Sequence, residues 1–296
     1  MSATVKKYPA LALLVLAMIF AAAPALAVGV GWLPPAASQL VALSASLAGV
    51  VLVLIEGRKG GLRELLGRAL IWRVGAQWWA VALFFMVVPA VATLYLYHWL
   101  GGPAVDWSGL QPLYTAIPSF FILTIFAGVG EEFGWRGFLL PRLQTRHNAL
   151  VSGLIVGVAW ATWHIPLFFV KGTMQYELQL QGGALLAILG YSAWIIAHSI
   201  QFTWLFNNTR GSVLMAAVLH GATNAWSGYF GMNKLPFDGI LTLSAVSVVI
   251  SIVIVALAGA ANLSRSQVRN VLALADGQPD APRSSAEGVA QAAGSR

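Results

Sequence analysis

The sequence predicts an all-α, polytopic membrane protein of about eight transmembrane helices, and three observations carry that prediction. Hydrophobic residues fill 58% of the 296 positions and charged residues only 9%, whereas about a quarter of a soluble domain is charged. The apolar residues come in runs of about 20, the length an α-helix needs to cross a bilayer. Lys and Arg collect in alternate segments between those runs, as the positive-inside rule requires. A soluble enzyme, a disordered chain and a collagen-like fibre are excluded by composition. An outer-membrane barrel is excluded because its strands alternate apolar and polar residues. The chain has no cysteine, which removes disulfides, thiolate nucleophiles and thiolate metal sites.

Eight spans follow in order: roughly 10–32, 38–56, 74–98, 117–140, 150–170, 183–206, 211–230 and 238–261. The first follows Lys6 and Lys7 and contains Ala-Pro-Ala-Leu-Ala, like a signal peptide. It runs on to Trp32, longer than a signal core, and is read as a retained helix. The loop 57–73 is read as a basic inside loop, with a short amphipathic surface helix as the alternative. Trp32, Trp72, Trp99, Trp107 and Trp204 lie near span ends, where indoles anchor at the interface. The transmembrane domain is expected over 1–263, with a mobile cytoplasmic tail over 264–296, rich in Ala, Gly, Ser, Pro and Gln.

With the N-terminus inside, the inside segments hold fifteen basic residues: Lys6 and Lys7; five over 57–73; Arg136, Arg142, Arg146 and Arg210; and four Arg in the tail. The outside segments hold two, Lys171 and Lys234. This places both termini in the cytoplasm and accounts for the net charge of +7 without a nucleic-acid partner.

Ionisable residues inside spans are expensive and therefore functional candidates. They are Glu131, Glu132, Arg136, His164, His198 and His220, with Asn224 as a polar companion. Glu56 is read as interfacial beside Arg58 and Lys59. At about 1.5 Å per residue, Glu131 lies about 15 Å from its span end at Pro141, and His164 about 20 Å from 148–150. His220 and Asn224 lie about 14 and 20 Å from Gly211, so all four share one slab of a core about 30 Å thick. Glu132 and Arg136 are four apart and read as a buried ion pair. Glu131, rotated about 100° away, faces another helix. His220 and Asn224 share a face. Pro166 opens the backbone hydrogen bonding of the fifth span. His198 has no evident partner.

These residues suit hydrolysis in two ways. A carboxylate, alone or paired with His, takes a proton from water, while a His and an Asn donate to a tetrahedral oxyanion. Alternatively, Glu131, His164 and His220 supply three ligands to a catalytic Zn2+, with water as the fourth. The plainer alternatives are a structural ion cluster and core histidines bonded to backbone carbonyls. A rival functional class is an ion- or proton-coupled transporter using the same cluster, although no inverted repeat accompanies it.

Glu131-Glu132-Phe133-Gly134-Trp135-Arg136, Trp160-Ala-Thr-Trp-His164 and His220-Gly-Ala-Thr-Asn224 resemble three motifs of one family, EExxxR, FxxxH and HxxxN/D. That family is the CPBP (CAAX protease and bacteriocin-processing) intramembrane proteases, also called Abi or type II CAAX prenyl endopeptidases. The resemblance covers about 113–232, and Trp160 stands where the family has Phe. It implies an intramembrane endopeptidase in which Glu131 and His164 activate water and His220 and Asn224 line the oxyanion site. Glu132 and Arg136 would support Glu131, in a conical cavity open toward the membrane and cytoplasm. It leaves both a metal-independent glutamate mechanism and a zinc metalloprotease open. The implied substrate is a membrane-associated peptide or lipidated protein, cut near the C-terminus or within a membrane peptide. The Ala-, Leu- and Arg-rich composition points to the cytoplasmic membrane of a bacterium, so prenyl-protein cleavage is not the first expectation.

Overall fold

The structure, a computed structural model, describes residues 2–264; the predicted tail beyond Ser264, with Arg265, Arg269, Arg283 and Arg296, lies outside the described residues. The described residues form helices joined by short turns, with no strand among them. The long helices are α1 (Pro9–Gly29), α2 (Leu43–Glu56), α3 (Ala76–Trp99, with a turn at 85–86) and α4 (Leu113–Gln144). They continue with α5 (Ala149–Phe169), α6 (Ala184–Asn208), α7 (Val213–Tyr229) and α8 (Phe237–Ala258). Every predicted span is helical. Six are long and apolar enough to cross a membrane unaided, whereas Leu40–Glu56 is a shorter apolar helix and α7 has 17 residues.

Local sequence sets where the site-bearing helices start and bend. Asn148 Oδ1 accepts from Val151 N at 2.9 Å and Ser212 Oγ from Met215 N at 3.1 Å; these caps start α5 and α7. Past His164, α5 tightens into a 3-10 turn over Ile165–Phe169, where Pro166 withholds a donor. In α4, π-helical segments Thr124–Val129 and Phe133–Leu139 flank Gly130–Glu132. Such bulges alter side-chain register along a helix and recur at functional sites.

Small residues let α4 and α7 approach backbone to backbone, the mode that packs helices in lipid. A methyl group on Gly128 would overlap the Ala217 carbonyl, and one on Gly221 would overlap Thr124. This close seam is why Glu131 and His220, on different helices, can meet.

The bundle has two distinct ends. At one, Arg146 donates to the carbonyls of Lys7 and Lys6 at 3.0 and 2.6 Å, and Ser212 Oγ to Ile71 O at 2.7 Å. Arg210 bonds the Arg73 carbonyl, and Ala149 N donates to Ala261 O at 2.9 Å. At the other end, Tyr229 Oη donates to Gln111 O at 2.9 Å, Tyr97 Oη to Asp238 at 3.0 Å, and Phe237 N to Gln181 Oε1 at 3.0 Å.

The 57–73 loop holds a short helix, Gly61–Gly67, which buries Leu65; Arg68 beyond it is buried too and donates to Glu64 at 2.8 Å, and Glu64 also pairs with Arg58. Both oxygens of Glu56 accept from Arg142, because α2 and α4 end side by side.

Candidate functional site

A cavity of about 860 Å³ lies among α4, α5, α6 and α7, and Glu131, Trp160, His164, His198, His220 and Asn224 line it. The residues predicted from three separate spans therefore converge. The shared depth inferred from helical rise corresponds to one enclosed space.

Glu131 is 5% exposed and its two carboxylate oxygens have different surroundings. Oε2 accepts from Trp160 Nε1 at 2.6 Å and from Trp135 Nε1 at 3.3 Å. Oε1 lies 4.0 Å from His220 Nε2, too far for a direct hydrogen bond. One oxygen is thus held by two indoles while the other faces an imidazole across a gap.

Glu132, fully buried, does more than balance Arg136. Its Oε1 accepts from Arg136 Nη1 at 3.1 Å and from His220 Nδ1 at 2.8 Å. The Nδ1 proton of His220 is therefore committed to Glu132, and Nε2 points toward Glu131. This is the logic by which a hydrogen bond at one ring nitrogen assigns the role of the other. Arg136 is held by more than its ion pair. Its guanidinium lies 4.6 Å from the Trp160 ring centre and 4.3 Å from that of Phe202, and Nη2 donates to Ser199 Oγ at 3.3 Å. Aromatic faces on a desolvated guanidinium supply cation–π attraction where no water reaches it.

His164 Nδ1 donates to the Trp160 carbonyl at 2.8 Å, one turn back on its own helix. The plainer reading of a backbone-bonded histidine thus holds for one nitrogen, which leaves Nε2 as the acceptor of the neutral ring. Asn224 lies one turn beyond His220, half-buried on the cavity wall. His198, without an evident partner in the sequence, donates through Nδ1 to Gln201 Oε1 at 2.6 Å and stacks between Trp160 and Trp194.

The donor set does not make a metal centre. Among the described residues no three His, Asp or Glu side chains form a group that could hold a metal ion, and Oε2 of Glu131 is already occupied by two indole donors.

Sequence reasoning missed Trp135 and undervalued Trp160. The four-residue spacing of Glu131 and Trp135 was a visible signal, since such pairs adjoin on a helix. The Trp160 contact crosses between helices and left no local trace. Trp160 stands where the family has Phe, and its indole N–H provides the shorter of the two indole hydrogen bonds to Glu131.

The direction of opening also differs from expectation. The cavity mouth is lined by Gly109, Gln111, Gly172, Asn233 and Lys234. These belong to the end opposite the basic loops. A cavity open toward the cytoplasm and a basic end in the cytoplasm are therefore mutually exclusive in this fold.

Residues 112–226 match the family described as Type II CAAX prenyl endopeptidase Rce1-like. The chain is also 27% identical over 177 residues to CAAX prenyl protease 2 of Methanococcus maripaludis, an alignment covering 57% of this chain and 65% of that relative. All three motifs fall inside the matched segment, on three of the helices that line the cavity, and the match supports the resemblance of this chain to the CPBP family.

Proposed function

We propose that this protein is an intramembrane endopeptidase that hydrolyses a peptide bond near the C-terminus of, or within, a membrane-associated polypeptide. The observation that carries the reading is the pairing of an indole-held carboxylate, Glu131, with the Nε2 face of His220, 4.0 Å away, in a cavity large enough for a peptide segment. A gap of that width suits a water molecule touching both groups. The named relative is a CAAX prenyl protease, which supports peptide hydrolysis over ion transport.

In this reading water binds between Glu131 Oε1 and His164 Nε2. Glu131 takes its proton as the water oxygen attacks the carbonyl carbon. The carbonyl oxygen becomes an oxyanion that accepts from the Asn224 amide and from Nε2–H of protonated His220. The C–N bond then breaks, and Glu131 returns its proton to the leaving amine. Glu132 and Arg136 hold His220 in place. Comparing membrane and secreted polypeptides with and without the gene tests the function directly. Cleavage products that vanish with the gene are expected, and their absence together with failure to cut peptides in detergent would sink it.

Two substitutions probe the roles. Asn224→Ala is expected to lower kcat about 10²–10³-fold, the cost of one oxyanion donor, with KM nearly unchanged. Turnover of a fluorogenic peptide in detergent, with chelator and with added zinc, measures it; rescue by zinc would replace the oxyanion role with a metal one. Trp160→Phe keeps the ring and deletes the N–H. A hydrogen bond to a charged group is worth about 1.5–3 kcal/mol, so kcat is expected to fall about 10–100-fold while the melting temperature barely moves. Unchanged kcat would remove Trp160 from the positioning of Glu131.

A further inference from the structure

We infer that the cavity takes its substrate from the extracytoplasmic side of the membrane: an exported or membrane-anchored polypeptide segment presented there, not the tail of a cytoplasmic protein. The substrate class rests on the peptidase reading above; the sidedness rests on geometry and charge alone.

The geometry is consistent from helix to helix. On α4 the lining runs from Thr115 to Glu131 and stops. On α5 it runs from Trp160 to Leu167, on α6 from Tyr191 to His198, and on α7 from His220 to Tyr229. None of the lining residues falls within 43–108, 132–159, 199–219 or 244–264. Successive helices run in opposite directions, so these stretches alternate between late and early halves of their helices. The stretches 132–159, 199–219 and 244–264 lie toward the end of the bundle tied by Arg146 and Ala149, whereas 43–108 runs between both ends, past Tyr97 at the mouth end. Glu131 is the deepest lining residue on α4, sixteen residues from Thr115, or roughly 24 Å at 1.5 Å per residue.

The excluded stretches are where the cations sit. Arg58, Lys59, Arg63, Arg68 and Arg73, then Arg142 and Arg146, and Arg210 all belong to them. The hydrogen bonds of Arg146 to the Lys6 and Lys7 carbonyls, and of Arg210 to that of Arg73, tie these loops and the N-terminal segment into one face. The mouth face carries Lys171 and Lys234. Short basic loops are retained on the cytoplasmic side during insertion. A closed basic end therefore faces the cytoplasm, and the open end faces away from it. Transfer of the family's cytoplasmic access to this chain would require inverting that charge bias.

The absence of cysteine makes single-cysteine labelling a clean test. Gln111→Cys and Lys234→Cys place a thiol on two different exposed loops at the mouth, and Lys59→Cys places one on an exposed position of the basic end. The probe is a charged, membrane-impermeant maleimide added to intact spheroplasts. Gln111→Cys and Lys234→Cys are expected to label at least tenfold faster than Lys59→Cys, which reacts only after permeabilisation. The reverse pattern would overturn the inference. Hydrolysis of a quenched fluorescent peptide by the detergent-purified protein is measured separately. Outward labelling without hydrolysis would uphold the sidedness and overturn the peptidase reading. Inward labelling with hydrolysis would overturn the sidedness and leave the peptidase reading standing.

Discussion

Glu131→Gln is expected to abolish peptide hydrolysis in a protein that stays folded. The substitution exchanges one carboxylate oxygen for an amide nitrogen and keeps the side chain's shape. The glutamine carbonyl oxygen can still accept from Trp160 and Trp135, the two donors that hold Oε2. The amide NH2 then takes the position of Oε1, facing His220. An amide there donates and cannot accept a proton, so the base is lost. Loss of a positioned general base costs about 10²–10⁴-fold in rate, which takes a slow intramembrane reaction to background. The packing is untouched, so the melting temperature in detergent is expected to stay within a few degrees. A well-folded Glu131→Gln protein that turns over a fluorogenic peptide at the native rate would refute the role given to this residue.

Glu132→Gln and Arg136→Ala are expected to fail for a different reason, loss of folded protein. Both side chains are fully buried. Removing either leaves an uncompensated charge without water, a loss of about 3–5 kcal/mol, which is a large part of the stability of an ordinary domain. Arg136→Ala also empties the slot between Trp160 and Phe202. Glu132→Gln retains an oxygen that can still accept from both Arg136 and His220, which already share Oε1, but it removes the negative charge that balances Arg136. Reduced yield and a lower melting temperature, measured by fluorescence on purified protein, are the expected results for both. A Glu132→Gln protein of native stability with lost activity would show that Glu132 acts on His220 orientation and contributes little to folding.

The contrast between the two adjacent carboxylates follows from their neighbours. Glu131 is held by neutral indole donors and lines the cavity. Glu132 accepts from a guanidinium and an imidazole and does not line it. In the proposed reaction the same side chain therefore serves chemistry at one position and architecture at the next.

Much of this was legible in the amino-acid order. Apolar run length determined the helices, because an unpaired backbone cannot remain in lipid and a helix satisfies itself within one segment. Buried ionisable residues at matching depths pointed to the spans that line the cavity, because such residues are costly in hydrocarbon. The i,i+4 spacing determined the Glu132–Arg136 pair, whose geometry is internal to one helix. Contacts between helices were not legible. That Glu132 also takes the Nδ1 proton of His220, that Trp160 donates to Glu131, and that Arg142 claims Glu56 depend on which helix faces lie together. Periodicity defines a face but not its neighbour. Two π segments around Glu131 further shift the register that a regular helix would give. The opening of the cavity was beyond the sequence for the same reason. Charge located the basic end from the chain alone, but which half of the bundle stays hollow is decided by how the helices pack against one another.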